Sequence, residues 1–281
     1  MENPRFSFMV VVLLALVLAA CGDLGDSTAT TADTPPPPPP AEALEGEGSD
    51  EACTIVMGWD PWEPYHFQDV DGSVRGLDVE IVTAVTERAG CSLQFYRDDW
   101  TNLLRMLQTG EISLLSGATR TPERTRYADF SPAYREEAVQ LFVRAGETSR
   151  FEADDLETLL RDGFRLGVTL GYVYGPEVAR LQSQFDPLFR VANVSEANVG
   201  NLLDQRIDGF LEDPYVAAAA QRRRGWEDEV DAHPLTIYVG DVHLMFSQAG
   251  LDQATTSRIN DSLQAMLDEG EVEAITERYL N

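Results

Sequence analysis

Residues 116–134 read SGATRTPERTRYADFSPAY, and the reading of the whole chain turns on what this stretch does with Arg124. Thr121 is a good helix N-cap and Pro122 suits the first helical position, which predicts a helix start with Arg124 in its first turn. The positive end of a helix dipole repels a cation, so an arginine placed there asks for an anion. Just upstream, the run ISLLS predicts a strand, and Gly117 sits at its end, where free backbone angles are often needed.

Outward from that stretch, short β-rich runs alternate with helical patterns from Thr54 onward. Asp78 is a candidate cap for a helix whose Val79, Val82, Val85 and Ala89 share one face, with Gly90 as the stop. Leu103, Leu104 and Leu107 form a second apolar stripe ending at Gly110. The alternation continues with FRLGV, a helix after Pro176, LFRVA, a helix after Ser195, IDGFL, a helix after Asp213, and LTIYV. This pattern predicts an α/β fold with helices covering mostly parallel sheets.

The 281 residues carry a net charge of −27, and all 21 basic residues are arginine. That balance argues against a broad polyanion-binding surface, so nucleic acid is not expected as a partner. No phosphate loop, nucleophile elbow or zinc-protease motif is present, and His66, His233 and His243 lack ligand-like spacing; no metal and no cofactor are expected. The run Arg222 to Arg224 ends a helix before Gly225, which fits cations at the negative end of a dipole.

Arg5, an apolar run from Phe6 to Leu18 and then LAAC predict a signal peptide over residues 1–20. LAAC resembles a bacterial lipobox, which implies lipidation of Cys21 and a membrane anchor. Residues 21–52 follow as an acidic linker with prolines from Pro35 to Pro40, a spacer first and a proline-rich partner motif second. The two remaining cysteines, Cys53 and Cys91, each precede a predicted strand, so parallel neighbouring strands would bring the thiols together as a disulfide; two buried free thiols are the alternative.

WDPWEPYHFQDVDGSVRGLDVEIVTAV, DDWTNLLRMLQTGEISLLSGATRTPERTRYADFSPAY and DGFLEDPY together resemble the family 3 periplasmic solute-binding proteins of bacterial amino-acid transport, over about residues 53 to 281. The resemblance implies a two-lobed periplasmic binding protein fold of type II: lobe 1 over 53–137 plus 239–281, lobe 2 over 138–238, and a two-strand hinge that lets the cleft close on a solute. It implies that Arg124 grips a ligand carboxylate in two-pronged fashion, answering the anion question. By the same similarity Ser116, Gly117 and Thr119 surround the ligand head, Trp62 and Trp100 sandwich its side chain, and Asp213 receives an amino group. Asp213 before Pro214 is also a good N-cap.

GYVYG, Gly171 to Gly175, departs from the family's hydroxyl-rich stretch: Val173 offers no side-chain hydrogen bond, while Gly171, Tyr172 and Tyr174 are placed to line the cleft. Ser113 replaces the usual acid of the GEIS segment. The function this implies is capture of a small polar solute, an amino acid or related carboxylate, outside the cytoplasm for an ABC importer, with the permease as partner and no catalysis. Two alternatives stay open. One is a dehydratase-like enzyme on the same scaffold using Glu63, His66 or Glu212; the other is a sensing module for a membrane receptor.

Overall fold

The computed structural model describes residues 53–280. The signal peptide, Cys21 and the linker lie outside the described residues. The elements run β1 (Thr54–Trp59), β2 (Phe67–Gln68), β3 (Val74–Arg75), α1 (Leu77–Arg88), β4 (Ser92–Arg97), α2 (Trp100–Thr109), β5 (Leu114–Ala118), β6 (Ala128–Phe130) and β7 (Arg135–Arg144). They continue with α3 (Leu156–Arg161), β8 (Leu166–Thr169), α4 (Gly175–Gln184), β9 (Phe189–Ala192), α5 (Glu196–Leu203), β10 (Gly209–Glu212) and α6 (Pro214–Arg224). The chain closes with β11 (Val230–Ser247), α7 (Gln253–Asp268) and α8 (Glu271–Leu280).

One hydrogen-bonded path links the strands in the order β4-β1-β5-β11-β7-β10-β8-β9, with β6 also pairing β11 and β2-β3 forming a separate hairpin. At one end β1 pairs in parallel with both β4 and β5. At the other, β8 pairs in parallel with both β10 and β9. Between these parallel groups the long antiparallel ladder of β7 and β11 runs from Val230↔Arg144 to Val242↔Arg135. The result is an α/β fold of two lobes joined by two crossing strands.

Helices cover each lobe because their apolar faces demand it. In α1 the expected Val79, Val82, Val85 and Ala89 are buried together with Leu77 and Ile81, and they share one cluster with Ile259, Leu263 and Ile275 of α7 and α8. Leu103 and Leu107 of α2 pack with Leu115 and Met245 in a second cluster. In the other lobe α3 and α4 join one core with Leu166 and Leu211, while Val199, Leu202 and Ala217 of α5 and α6 join Phe142 and Phe210 in another.

Cys53 and Cys91 form a disulfide with Cα atoms 4.5 Å apart. Its cause is the parallel register Thr54↔Ser92, which sets the preceding residues of β1 and β4 side by side. Closing that loop is worth about 4 kcal/mol on a chain-entropy account.

Several local expectations need correction. Thr121 caps as read, its hydroxyl accepting the Arg124 N–H at 3.2 Å. The helix it was expected to start is only a 3₁₀ turn over Arg124–Arg126, because residues from Ala128 onward leave to pair with β11. So short a turn has little dipole, and Arg124 is not placed by one. Asp78 is not a cap either: α1 begins at Leu77 after Gly76, and Asp78 lies fully buried against Arg135. LTIYV is the middle of an 18-residue strand. Arg223 and Arg224 do more than complement a dipole, since both bind Glu196, and Arg223 also reaches Glu63. Among the described residues no helix is long and apolar enough to cross a membrane.

Candidate functional site

A cavity of about 30 Å³ lies where the two lobes meet, lined by Asp60, Trp62, His66, Trp100, Ser116, Gly117, Thr119, Arg124, Glu137, Tyr172 and Val173. Seven of the ten residues expected to bind ligand line it: Arg124, Thr119, Gly117, Ser116, Trp62 and Trp100, joined by Tyr172 from the other lobe. Gly171, Tyr174 and Asp213 are not part of its lining.

Arg124 is the central group. Its residue is 6% exposed, and its guanidinium donates to the Thr119 carbonyl at 2.9 Å and to the Gly171 carbonyl at 2.9 Å. No carboxylate of a described residue lies within ion-pair distance, although Glu123 and Glu137 act on it from further away. Burial lowers its affinity for a proton, but a guanidinium stays charged. A cation this deep, satisfied only by neutral carbonyls, is costly unless something anionic joins it.

Around it the wall is built of donors and rings. β5 delivers Ser116 and Gly117: the Ser116 hydroxyl is buried without a hydrogen-bond partner, and the indole N–H of Trp62, outside direct hydrogen-bond distance of any acceptor, is turned toward the Glu212 carboxyl. Gly117 has φ +65°, and a Cβ there would stand 3.0 Å from the Trp62 ring and 3.3 Å from an Asp78 oxygen, so the position takes only glycine without strain. Its N–H donates to the Tyr134 hydroxyl at 2.8 Å. Trp62 and Trp100 do not touch each other; the ring of Tyr172 meets each edge-on, at 6.4 Å between centroids. The Trp100 indole donates to the Gly171 carbonyl at 3.2 Å. Gly171 holds φ +78°, which turns that carbonyl toward both donors from the opposite lobe.

Asp213 and Tyr174 are committed elsewhere. One Asp213 oxygen caps α6 by accepting from the Tyr215 and Val216 N–H groups, and the other accepts from the Tyr65 hydroxyl at 3.0 Å across the lobes. Tyr174 packs in a lobe core, its hydroxyl accepting the Thr169 N–H at 2.7 Å. Ser113 stands at the end of the turn before β5, its hydroxyl accepting from Val56 N–H. Of the residues considered for catalysis, His66 lines the cavity with Nδ1 2.6 Å from the Asp60 carbonyl, while Glu63 pairs with Arg223 at the mouth. Glu212 is buried, accepting from the Ser195 hydroxyl and the Asp213 N–H.

Glu137 and Asp60 escape a motif-based reading. Burial pushes Glu137 up to about 8 and also raises Asp60, each carboxylate losing more hydration than its neighbours return. Glu212 is raised to about 7 for the same first reason. The signal available in sequence was the alternation of β7, in which Arg135 and Glu137 must share a face. Among the described residues no group of three or more His, Cys, Asp or Glu is placed to hold a metal ion.

The profile of the bacterial extracellular solute-binding proteins, family 3, matches residues 55–281. The chain belongs to that family. Among its relatives, the probable amino-acid-binding protein YxeM of Bacillus subtilis strain 168 is 23% identical over 286 residues, covering 100% of this chain and 97% of that protein. A probable histidine-binding protein of Neisseria gonorrhoeae is 25% identical over 282 residues, covering 99% and 96%. Among solved structures, a histidine kinase sensor domain with similarity to periplasmic binding proteins superimposes with TM-score 0.72 at 21% identity, over 83% of this chain and 98% of that one. An ancestral arginine-binding protein bound to arginine gives TM-score 0.70 at 22% identity, over 81% and 98%. As a family 3 solute-binding protein this chain has the two-lobed type II fold, with the cavity described above between its lobes.

Proposed function

We propose that this family 3 protein is a lipid-anchored, extracytoplasmic receptor that captures an amino acid or related small carboxylate and hands it to an ABC importer without changing it chemically. The observation that carries the reading is Arg124, a buried guanidinium at the lobe junction that has carbonyl partners and no carboxylate. A carboxylate matches its planar fork, and the free Ser116 hydroxyl with Thr119 and Gly117 completes the pocket for that head. Trp62 and Trp100 hold the side chain once Tyr172 has swung aside, Asp213 shares its Tyr65-bound oxygen with the amino group, Gly171 turns the lobe 2 loop, and Tyr174 braces it. The names of the relatives agree with an amino acid as solute.

Capture needs opening, because about 30 Å³ holds little more than a water or two. The hinge fits the two crossing strands, with lobe 1 over 53–137 plus 239–281 and lobe 2 over 138–238: those breakpoints fall where Ala138 pairs with Val239 and Val139 with Tyr238. The signal over 1–20 and lipidation of Cys21 would tether the molecule, with residues 21–52 as the spacer to a permease. Calorimetry with the twenty amino acids should show binding in at least one case and none in Arg124→Ala; retained affinity in that variant overturns the assignment of the site.

A further inference from the structure

The charges around the cavity do not balance for a simple zwitterion. Its wall carries one arginine, Arg124, against two carboxylates, Asp60 and Glu137. Glu137 makes no hydrogen bond and no ion pair with any described residue, and Asp60 has only His66, whose Nδ1 is 3.9 Å from its oxygen. The nearby cation that could have served Glu137 is Arg135, two residues earlier on the same face of β7, but Asp78 holds it with hydrogen bonds of 3.0 and 3.1 Å. Besides Arg135 and the Arg124 guanidinium, which Glu137 feels at a distance, the charged groups that act on it add to the excess: Glu212 at the end of β10, Asp213 at the start of α6, and Asp78 itself.

A guest with one carboxylate and one ammonium satisfies Arg124 and a single acid. In a closing, water-poor site Asp60 would still have only its own backbone N–H and a histidine nitrogen 3.9 Å away, and Glu137 no donor at all. The same walls supply three aromatic rings, Trp62, Trp100 and Tyr172, and the Arg124 guanidinium already lies 5.5 Å from the Trp100 ring centroid, so the surface accepts a flat cation. The acids come from two elements that frame the cavity, the loop after β1 and the hinge strand β7, so lobe closure brings both onto the guest.

We propose that the solute is an amino acid with a cationic side chain, its guanidinium or ammonium group received by Glu137 and Asp60 while Arg124 receives the carboxylate. Glu137 is then the specificity-determining residue. This rests on the cavity being the solute site, as proposed above. A cation lacking the carboxylate leaves Arg124 unanswered, and a neutral side chain leaves Glu137 unanswered.

The full-length protein is titrated calorimetrically with L-arginine and L-lysine, and with their uncharged counterparts L-citrulline and L-norleucine, then with agmatine. One cationic amino acid should bind at least about tenfold more tightly than its neutral counterpart, the usual scale of a hydrogen bond to a charged partner, and agmatine weakly. In Glu137→Gln that ratio should shrink toward one; Asp60→Asn should shrink it in the same direction and serves if the first variant melts early. Equal affinity for charged and neutral partners in the unmodified protein overturns the inference. If only neutral amino acids bind, and Arg124→Ala abolishes that binding, the inference falls and the proposed function stands. If no amino acid binds, both fall.

Discussion

Two arginines lie buried in this molecule, one where the hinge strand starts and one in the turn after β5, and the protein treats them differently. Arg135 has its counter-charge: Asp78 grips Nε and Nη2 with two hydrogen bonds, both side chains are at most 4% exposed, and the Tyr65 ring covers the guanidinium with its centroid 3.9 Å from Cζ, leaving only Nη1 without a hydrogen-bond partner. Arg124, nearly as deep, has two backbone carbonyls and no counter-charge. A charge finished inside the chain serves architecture, and removing either partner strands the other. A charge left without a direct partner at a lobe junction is, on the function proposed above, kept for a solute.

Three measurements break or sharpen that contrast. Asp78→Asn should lose about 3–5 kcal/mol in urea unfolding, the usual result of orphaning half of a buried ion pair; a loss below about 1 kcal/mol would make Arg135 as open as Arg124 and end the distinction. Next comes pH. Glu137 and Glu212 have folded pKa values of about 8 and about 7, raised above the ordinary carboxyl value chiefly by burial, so the native state binds protons that the unfolded chain has already released. Stability of the solute-free protein is therefore greatest below about pH 4.5 as far as these two groups are concerned, falls as pH rises, and levels off above about 8. Tm should drop by several degrees between pH 5 and pH 8, and Glu137→Gln should flatten the slope; a rising Tm in the variant-sensitive range would show that Glu137 has a hidden cationic partner. The smallest effect belongs to Arg124→Met, which should change solute-free stability by no more than about 1 kcal/mol, since it removes a charge that no described carboxylate pairs with directly.

The same contrast explains what could be read from sequence. The alternation of short runs was legible because each element's apolar face repeats with its own period, and α1, α2, α4, α5 and α6 appear where the glycines, prolines and caps put them. The disulfide was legible because two cysteines each stood one residue ahead of a strand. Residues of the site were legible only through their resemblance to a family, and the physical argument first given for Arg124 was wrong in its means: the segment is a 3₁₀ turn, so its isolation, not a helix dipole, is what calls for an anion. Asp78 looked like a cap because local rules see an acid before an apolar run; its real partner, Arg135, is 57 residues away. Glu137 and Asp60 were missed because nothing local marks them. Their meaning arises from which charges the fold fails to supply nearby.

The ladder between the hinge strands has a practical consequence. Ala138 of β7 lies directly across from Val239 of β11, so two positions about a hundred residues apart in the chain are neighbours, one strand spacing, ~4.8 Å, from each other. A reporter domain or a new pair of chain ends introduced between those two positions would start and finish at neighbouring points, with no gap to span.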